Sequence, residues 1–167
     1  MAGRTLGVTC ALAVGAAIAA GVAAADKPIR EPAEAVSFDF PAGMVCPFPV
    51  VGEPVEDRQT VTTFASGKVL YTGFFSARLT NADTGTGLTF NASGPVTIVP
   101  EGDNIVVSSG GPVLFFFFPG DAGPGDDSVG RTYLIRGHAE VLIDPETFTF
   151  LSFSYRGNAT DICALLA

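Results

Sequence analysis

Residues 113–118 read VLFFFF. With the two-residue period of a strand, Leu114, Phe116 and Phe118 fall on one face and Val113, Phe115 and Phe117 on the other. Both faces are apolar, which predicts a central strand with something packed on each side. A plain core strand satisfies that pattern; a strand with one face lining a ligand cavity satisfies it equally.

Strand signals continue in both directions from this segment. Downstream, residues 119–130 (PGDAGPGDDSVG) form a glycine-rich acidic loop, and Arg131–Arg136 and Val141–Ile143 read as two further strands before a turn at Asp144-Pro145-Glu146. In the last strand Phe148 and Phe150 share one parity, whereas Leu151, Phe153 and Tyr155 share the other. That phase change predicts a bulge or bend at Phe150–Leu151. Ile162–Leu166 closes the chain as a short turn.

Upstream, Gly110-Gly111-Pro112 and Glu101–Asn104 read as turns flanking a strand at Ile105–Ser109. Strands at Leu88–Ala92 and Val96–Ile98 are separated by Ser93-Gly94-Pro95. Arg58–Phe64 and Val69–Leu79 form a hairpin about Ser66-Gly67. Val69, Tyr71, Phe75, Ala77 and Leu79 share one face of its second arm, and Gly73 in their row permits a bend. Val36, Phe38 and Phe40 alternate with polar residues, and prolines 41, 47 and 49 make Val45–Val51 an edge or irregular strand. Outside residues 1–25 there is no helical periodicity, and connections of two to five residues are too short for crossover helices. The class is mainly β: an antiparallel β-barrel or two-sheet β-sandwich of about eight to ten strands.

The amino terminus has a different character. Arg4 precedes an uncharged run ending in Ala23-Ala24-Ala25, and eighteen of the first 25 residues are apolar, chiefly alanine. This is the layout of a secretory signal peptide cleaved after Ala25. The organisation expected is therefore a leader at 1–25, a flexible lead-in at 26–34 and a single β domain at 35–167. Loss of Arg4 takes the formal charge from −8 to −9, which makes nucleic acid and anionic membranes poor partners. The mature chain carries no second apolar span, so a secreted or extracellular protein is expected, with association to the cell envelope as a variant of that placement.

Removing the leader also removes Cys10, leaving Cys46 and Cys163. In an oxidising compartment they have one intramolecular pairing open to them, with two free buried thiols as the other reading.

Material for chemistry is sparse. His138 is the only imidazole, and with Arg136 and Glu140 it fits the polar face of a solvent-exposed strand. There is no G-x-S-x-G elbow and no set of zinc ligands, so no catalytic residue, metal site or cofactor is assigned. Asp121, Asp126 and Asp127 could offer oxygens to calcium, but their spacing is not that of an EF-hand. Asn158-Ala159-Thr160 matches the N-glycosylation pattern.

Taken together, FDFPAGMVCPFPV (38–50), LTNADTGTGLTF (79–90) and TDICALLA (160–167) resemble a group of small, uncharacterised secreted proteins of actinobacteria. The resemblance covers most of the mature chain through an F-x-x-P-A-G-x-x-C segment and a D-I-C-A segment. It implies one bridge between Cys46 and Cys163 and carries over no catalytic or binding residue.

The expectation is an exported, non-enzymatic β domain that binds a small apolar ligand or an envelope component. Phe115, Phe116, Phe117, Phe118, Phe148, Phe150 and Phe153 are the candidate border of its pocket. The alternatives are a small metal-independent barrel enzyme (isomerase, cyclase or hydrolase) built on His138 or a carboxylate, and a self-associating envelope protein.

Overall fold

The computed structural model describes residues 27–125 and 128–167. The leader reading, including Cys10, and the proposed oxygen donors Asp126 and Asp127 lie outside the described residues. Nine strands and one short helix follow one another: β1 (Ile29–Pro32), β2 (Phe38–Phe40), β3 (Val50–Thr63), β4 (Val69–Asn81), β5 (Gly87–Asn91), β6 (Val96–Glu101), β7 (Asn104–Phe117), β8 (Arg131–Ile143), β9 (Phe150–Asp161) and α1 (Ile162–Leu166). All the pairings are antiparallel, in the order β1-β3-β4-β6-β7-β8-β9. β2 pairs with β3, and β5 with β4. The mainly β, antiparallel class expected from the sequence is what forms, with nine strands among the described residues. Ile29–Pro32, within the stretch read as a lead-in, lies along Thr60–Thr63 as an exposed edge strand.

Two readings of chain breaks are corrected. Gly110-Gly111-Pro112 does not turn the chain; β7 runs through it from Asn104 to Phe117. Likewise Arg131–Arg136 and Val141–Ile143 are the ends of one thirteen-residue strand, β8. The glycines at these places bend the sheet instead of ending it. Gly111 lies opposite Gly137, and Gly137 opposite Gly157, so three glycines form one row across β7, β8 and β9. Their φ values are +82°, +144° and +124°, a region that residues with a Cβ avoid. A Cβ on Gly137 would overlap the Arg156 carbonyl, and one on Gly157 the Arg136 carbonyl.

The bend at this row is large. Phe117 is paired with Arg131, at the start of β8, and Phe150 with Ile143, at its end. In a flat sheet twelve residues at 3.3 Å each would hold these positions roughly 40 Å apart along the strand. Their rings are 5.5 Å apart, centroid to centroid. The sheet therefore curls until the two halves of one face meet, as glycine kinks and bulges allow at the corners of barrels. A bulge lies where the phase change in the sequence predicted it: Leu142 faces Ser152 and Ile143 faces Phe150, leaving Leu151 as the extra residue. A second bulge leaves Val55 unpaired in β3.

Two apolar clusters result, one on each face of the VLFFFF segment. Phe115 and Phe117 pack with Ile135, Ala139, Val141, Phe150 and Phe153 inside the curl. Leu114, Phe116 and Phe118 pack on the other side against Val45, Val50, Leu79, Phe90, Leu134 and the helix residues Ile162 and Leu166. The central strand covered on both faces is thus borne out.

A disulfide joins Cys46 to Cys163 within the second of these clusters, with their Cα atoms 5.5 Å apart. It closes a separation of 117 residues, for which restriction of the unfolded chain contributes about 4–5 kcal/mol in the loop-entropy treatment. Asp161 Oδ1 caps α1 by accepting from Ala164 N at 3.1 Å, and Asn81 Nδ2 donates to Leu166 O at 3.0 Å. The helix is pinned at both ends, which holds Cys163 against the 45–46 segment.

Candidate functional site

The residues singled out in the sequence go to several different places. Phe115, Phe117, Phe150 and Phe153 interdigitate: the Phe117 ring meets Phe153 edge-on at 4.9 Å and Phe150 at 5.5 Å, and Phe115 meets Phe153 at 5.5 Å. These rings fill one another's space and border no large cleft. Phe118 packs edge-on against Phe40 at 5.6 Å. Phe148 projects outward, 65% exposed, with φ +57° in the turn before β9. Phe116 borders an apolar cleft.

That cleft, about 280 Å³, lies on the Leu114/Phe116 face. Its size is at the small end of ligand pockets. β4 supplies Tyr71, Phe75 and Ala77, part of the row that the sequence places on one face of that strand. β7 supplies Val113, Leu114 and Phe116; β2 supplies Phe38; β3 supplies Gln59; Ala92 lies just past β5 and Val96 opens β6.

Local structure explains why a gap persists here. The same edge of β4 pairs with β5 over Ser76–Thr80 and with β6 over Val69–Tyr71. Between them the ladder is broken, and the Phe75 backbone is satisfied by Ser93, whose Oγ accepts from Phe75 N at 2.9 Å and donates to Phe75 O at 3.0 Å. Gly73 interrupts the aromatic row between Tyr71 and Phe75, with φ +121°. Ala77 and Ala92 present only methyl groups to the cleft. Phe38 forms the far wall because Gly52, its partner on β3, is bare: a Cβ there would overlap the Phe38 ring. The Phe38 ring in turn meets Phe116 at 5.2 Å, edge to face.

The polar members of the cleft are few. Tyr71 and Gln59 lie on adjacent strands of the same inner face. The Gln59 backbone is fixed on both sides, its N–H donating to Asp57 Oδ1 at 2.8 Å and its carbonyl accepting from Ala33 N at 2.9 Å. Asp57, two residues earlier and opposite Phe75, is on that face too, and its Oδ2 is shielded from solvent with no hydrogen-bond partner. Nothing in the local sequence marks this site. β4's row is visible there, but the walls from β2 and β7 arrive through long-range pairing.

His138 and Glu140 are exposed on β8, as their polar row suggests, and with Ser154, Tyr155 and Arg156 of β9 they border a polar hollow of about 540 Å³. His138 lies opposite Arg156 and Glu140 opposite Ser154, with no hydrogen bond joining these side chains among the described residues. Asp121 is 5% exposed and serves the backbone: Oδ2 accepts from Phe118 N at 2.7 Å and Oδ1 from Phe150 N at 2.9 Å. Both its oxygens are thereby committed. No group of three metal-binding side chains, and no helix long and apolar enough to cross a membrane, occurs among the described residues. Comparison with protein-family models, with curated proteins and with solved structures returns no match.

Proposed function

We propose that this disulfide-bridged β domain is an exported binding protein for a small apolar molecule, its likeness to secreted actinobacterial proteins bearing on the export alone. The observation that carries the reading is the cleft walled by Phe38, Phe75, Leu114 and Phe116. An apolar concavity with few polar groups is the form that small-molecule sites take. Export is supported by the leader-like residues 1–25 and by the bridge between Cys46 and Cys163, since disulfides persist in oxidising compartments. The polar hollow at His138 supports the enzyme alternative less well, because no hydrogen bond there orients a nucleophile or a base.

Titration with propylbenzene, followed by amide chemical shifts, tests the binding reading. Saturable shifts centred on Phe75, Ala92 and Leu114 are the expected result; shifts that do not saturate, or that centre on the exposed Phe148 and Leu151, overturn it. Native mass spectrometry of protein taken from its own culture medium tests export, the expected mass being that of a chain beginning at Asp26.

A further inference from the structure

We infer that the cleft takes a molecule with an apolar body and a hydrogen-bond-donating end, such as an alcohol, and turns away carboxylates. The inference rests on the cleft being a binding site and concerns which chemistry it selects.

Gln59 is the group that reads the polar end. It lines the cleft, and among the described residues its side-chain amide has no hydrogen-bond partner. Its backbone, held by Asp57 and Ala33, gives that amide a fixed base. An amide presents one acceptor and two donors, so an alcohol can donate to Oε1 and accept from Nε2, whereas a carboxylate can only accept.

Asp57 supplies the discrimination. Its carboxylate shares the face of Gln59 and Phe75, and Oδ2 is shielded and unpartnered. The adjacent cation does not neutralise it. Arg58 points to the opposite face, where its Nε lies 2.8 Å from Glu56 and its guanidinium lies 5.2 Å from the centre of the Phe74 ring. Asp57 stands beside the residues that border the cleft and not among them, and a carboxylate ligand would bring a second negative charge towards one that no cation pairs with among the described residues. The shielding of Oδ2 means that Asp57 acts through its field and through Gln59, as a positioning and selecting residue.

The test compares three probes of similar size, 2-phenylethanol, phenylacetate and propylbenzene, by amide-shift titration of the full exported chain. In the wild type 2-phenylethanol binds at least about tenfold more tightly than phenylacetate, and the gap persists in 0.5 M salt, which screens the net charge of the surface but not a charge beside the ligand. Gln59→Leu lowers the ratio of 2-phenylethanol to propylbenzene affinity by about five- to tenfold, the worth of one lost hydrogen bond. Asp57→Asn keeps an oxygen for Gln59 N and narrows the gap between phenylacetate and the alcohol by about tenfold. Equal affinity for alcohol and carboxylate in the wild type, or a gap that salt removes, overturns the inference while leaving the binding site standing. Absence of saturable binding by both propylbenzene and 2-phenylethanol instead removes the underlying reading. Should Gln59→Leu unfold, Gln59→Met reads the same lost hydrogen bond, and should Asp57→Asn unfold, Asp57→Ser reads the same lost charge; an unchanged ranking in these variants overturns the inference, because desolvation alone makes any apolar cleft prefer an alcohol to a carboxylate.

Discussion

The two faces of one strand behave differently. On the Phe115/Phe117 side the rings of β9 are delivered directly onto those of β7, and space is filled edge to face. On the Leu114/Phe116 side, equally apolar in sequence, the opposing wall contains Ala77 and Ala92, and an open cleft survives. Apolar content alone therefore does not separate core from cavity. What separates them is the size of the residues that the partner strands bring to each face, and that depends on where glycines let the sheet bend.

The sharpest way to break this contrast is to remove the bend. Gly137→Val places a side chain against the Arg156 carbonyl at φ +144°. Left-handed strain adds to the overlap, so a loss above about 4 kcal/mol is expected. Circular dichroism melts of the purified variant, or its failure to accumulate, read the effect. The Phe115/Phe117 face should be lost first, because its closure depends on the curl.

Truncating one ring on each face measures the contrast directly. Phe117 is 4% exposed and sits among Phe115, Tyr133, Phe150 and Phe153; Phe117→Ala should cost about 3–5 kcal/mol. Phe116 already borders open space, so Phe116→Ala should cost less, on the order of 2 kcal/mol, and should enlarge the cleft. Urea titrations give both numbers. Equal losses would mean that the cleft is as well packed as the core.

The disulfide belongs to the cleft-bearing side. Cys46→Ala with Cys163→Ala should cost about 2–4 kcal/mol, and hydrogen exchange should rise at Val45, Leu134 and Ile162 before it rises at Ile135 or Val141. Uniform loss of protection would instead mean that the two clusters unfold as one unit.

The sequence carried the elements of this contrast unevenly. The two apolar faces, the bridge and the bulge at Leu151 were readable because each is a local pattern or, for the bridge, the only pairing left. Gly110-Gly111-Pro112 was misread as a turn because the same residues suit a chain reversal and a bent strand. Only the pairing of Gly111 with Gly137, and of Gly137 with Gly157, makes it a crease. Of the phenylalanine-rich rows expected to border a pocket, Phe116 does border the cleft, whereas Phe115, Phe117, Phe150 and Phe153 meet one another and fill space. Ring size in the sequence does not separate the two outcomes, because the facing residues, Ala77 and Ala92 at the cleft, arrive through pairing.

The smallest expected effect concerns the turn that delivers β9 to the filled face. Asp144 Oδ1 accepts from Glu146 N at 2.8 Å and from Thr147 N at 3.4 Å, and its backbone exchanges bonds with Phe148 and Thr149. Hydrogen bonding from the Glu146 backbone holds this carboxyl below its ordinary value, against the opposing effect of desolvation and with smaller help from Thr147. A carboxyl lowered in the folded state binds its proton more readily when unfolded, so its contribution is present above the ordinary aspartate range and fades as pH falls through the folded value. Asp144 sits half-buried in a surface turn, so the effect is small and partly screened by solvent. Asp144→Asn should accordingly flatten the acid limb of stability below about pH 4 without altering the neutral plateau appreciably. If the turn sets only the position of Phe150 and Phe153, shifts caused by acid in the wild type will appear at those rings and at Phe117, while Phe75 and Leu114 stay still. Equal movement on both faces would show that β9 also supports the cleft, and the two faces of β7 would then be one cooperative structure with unequal packing.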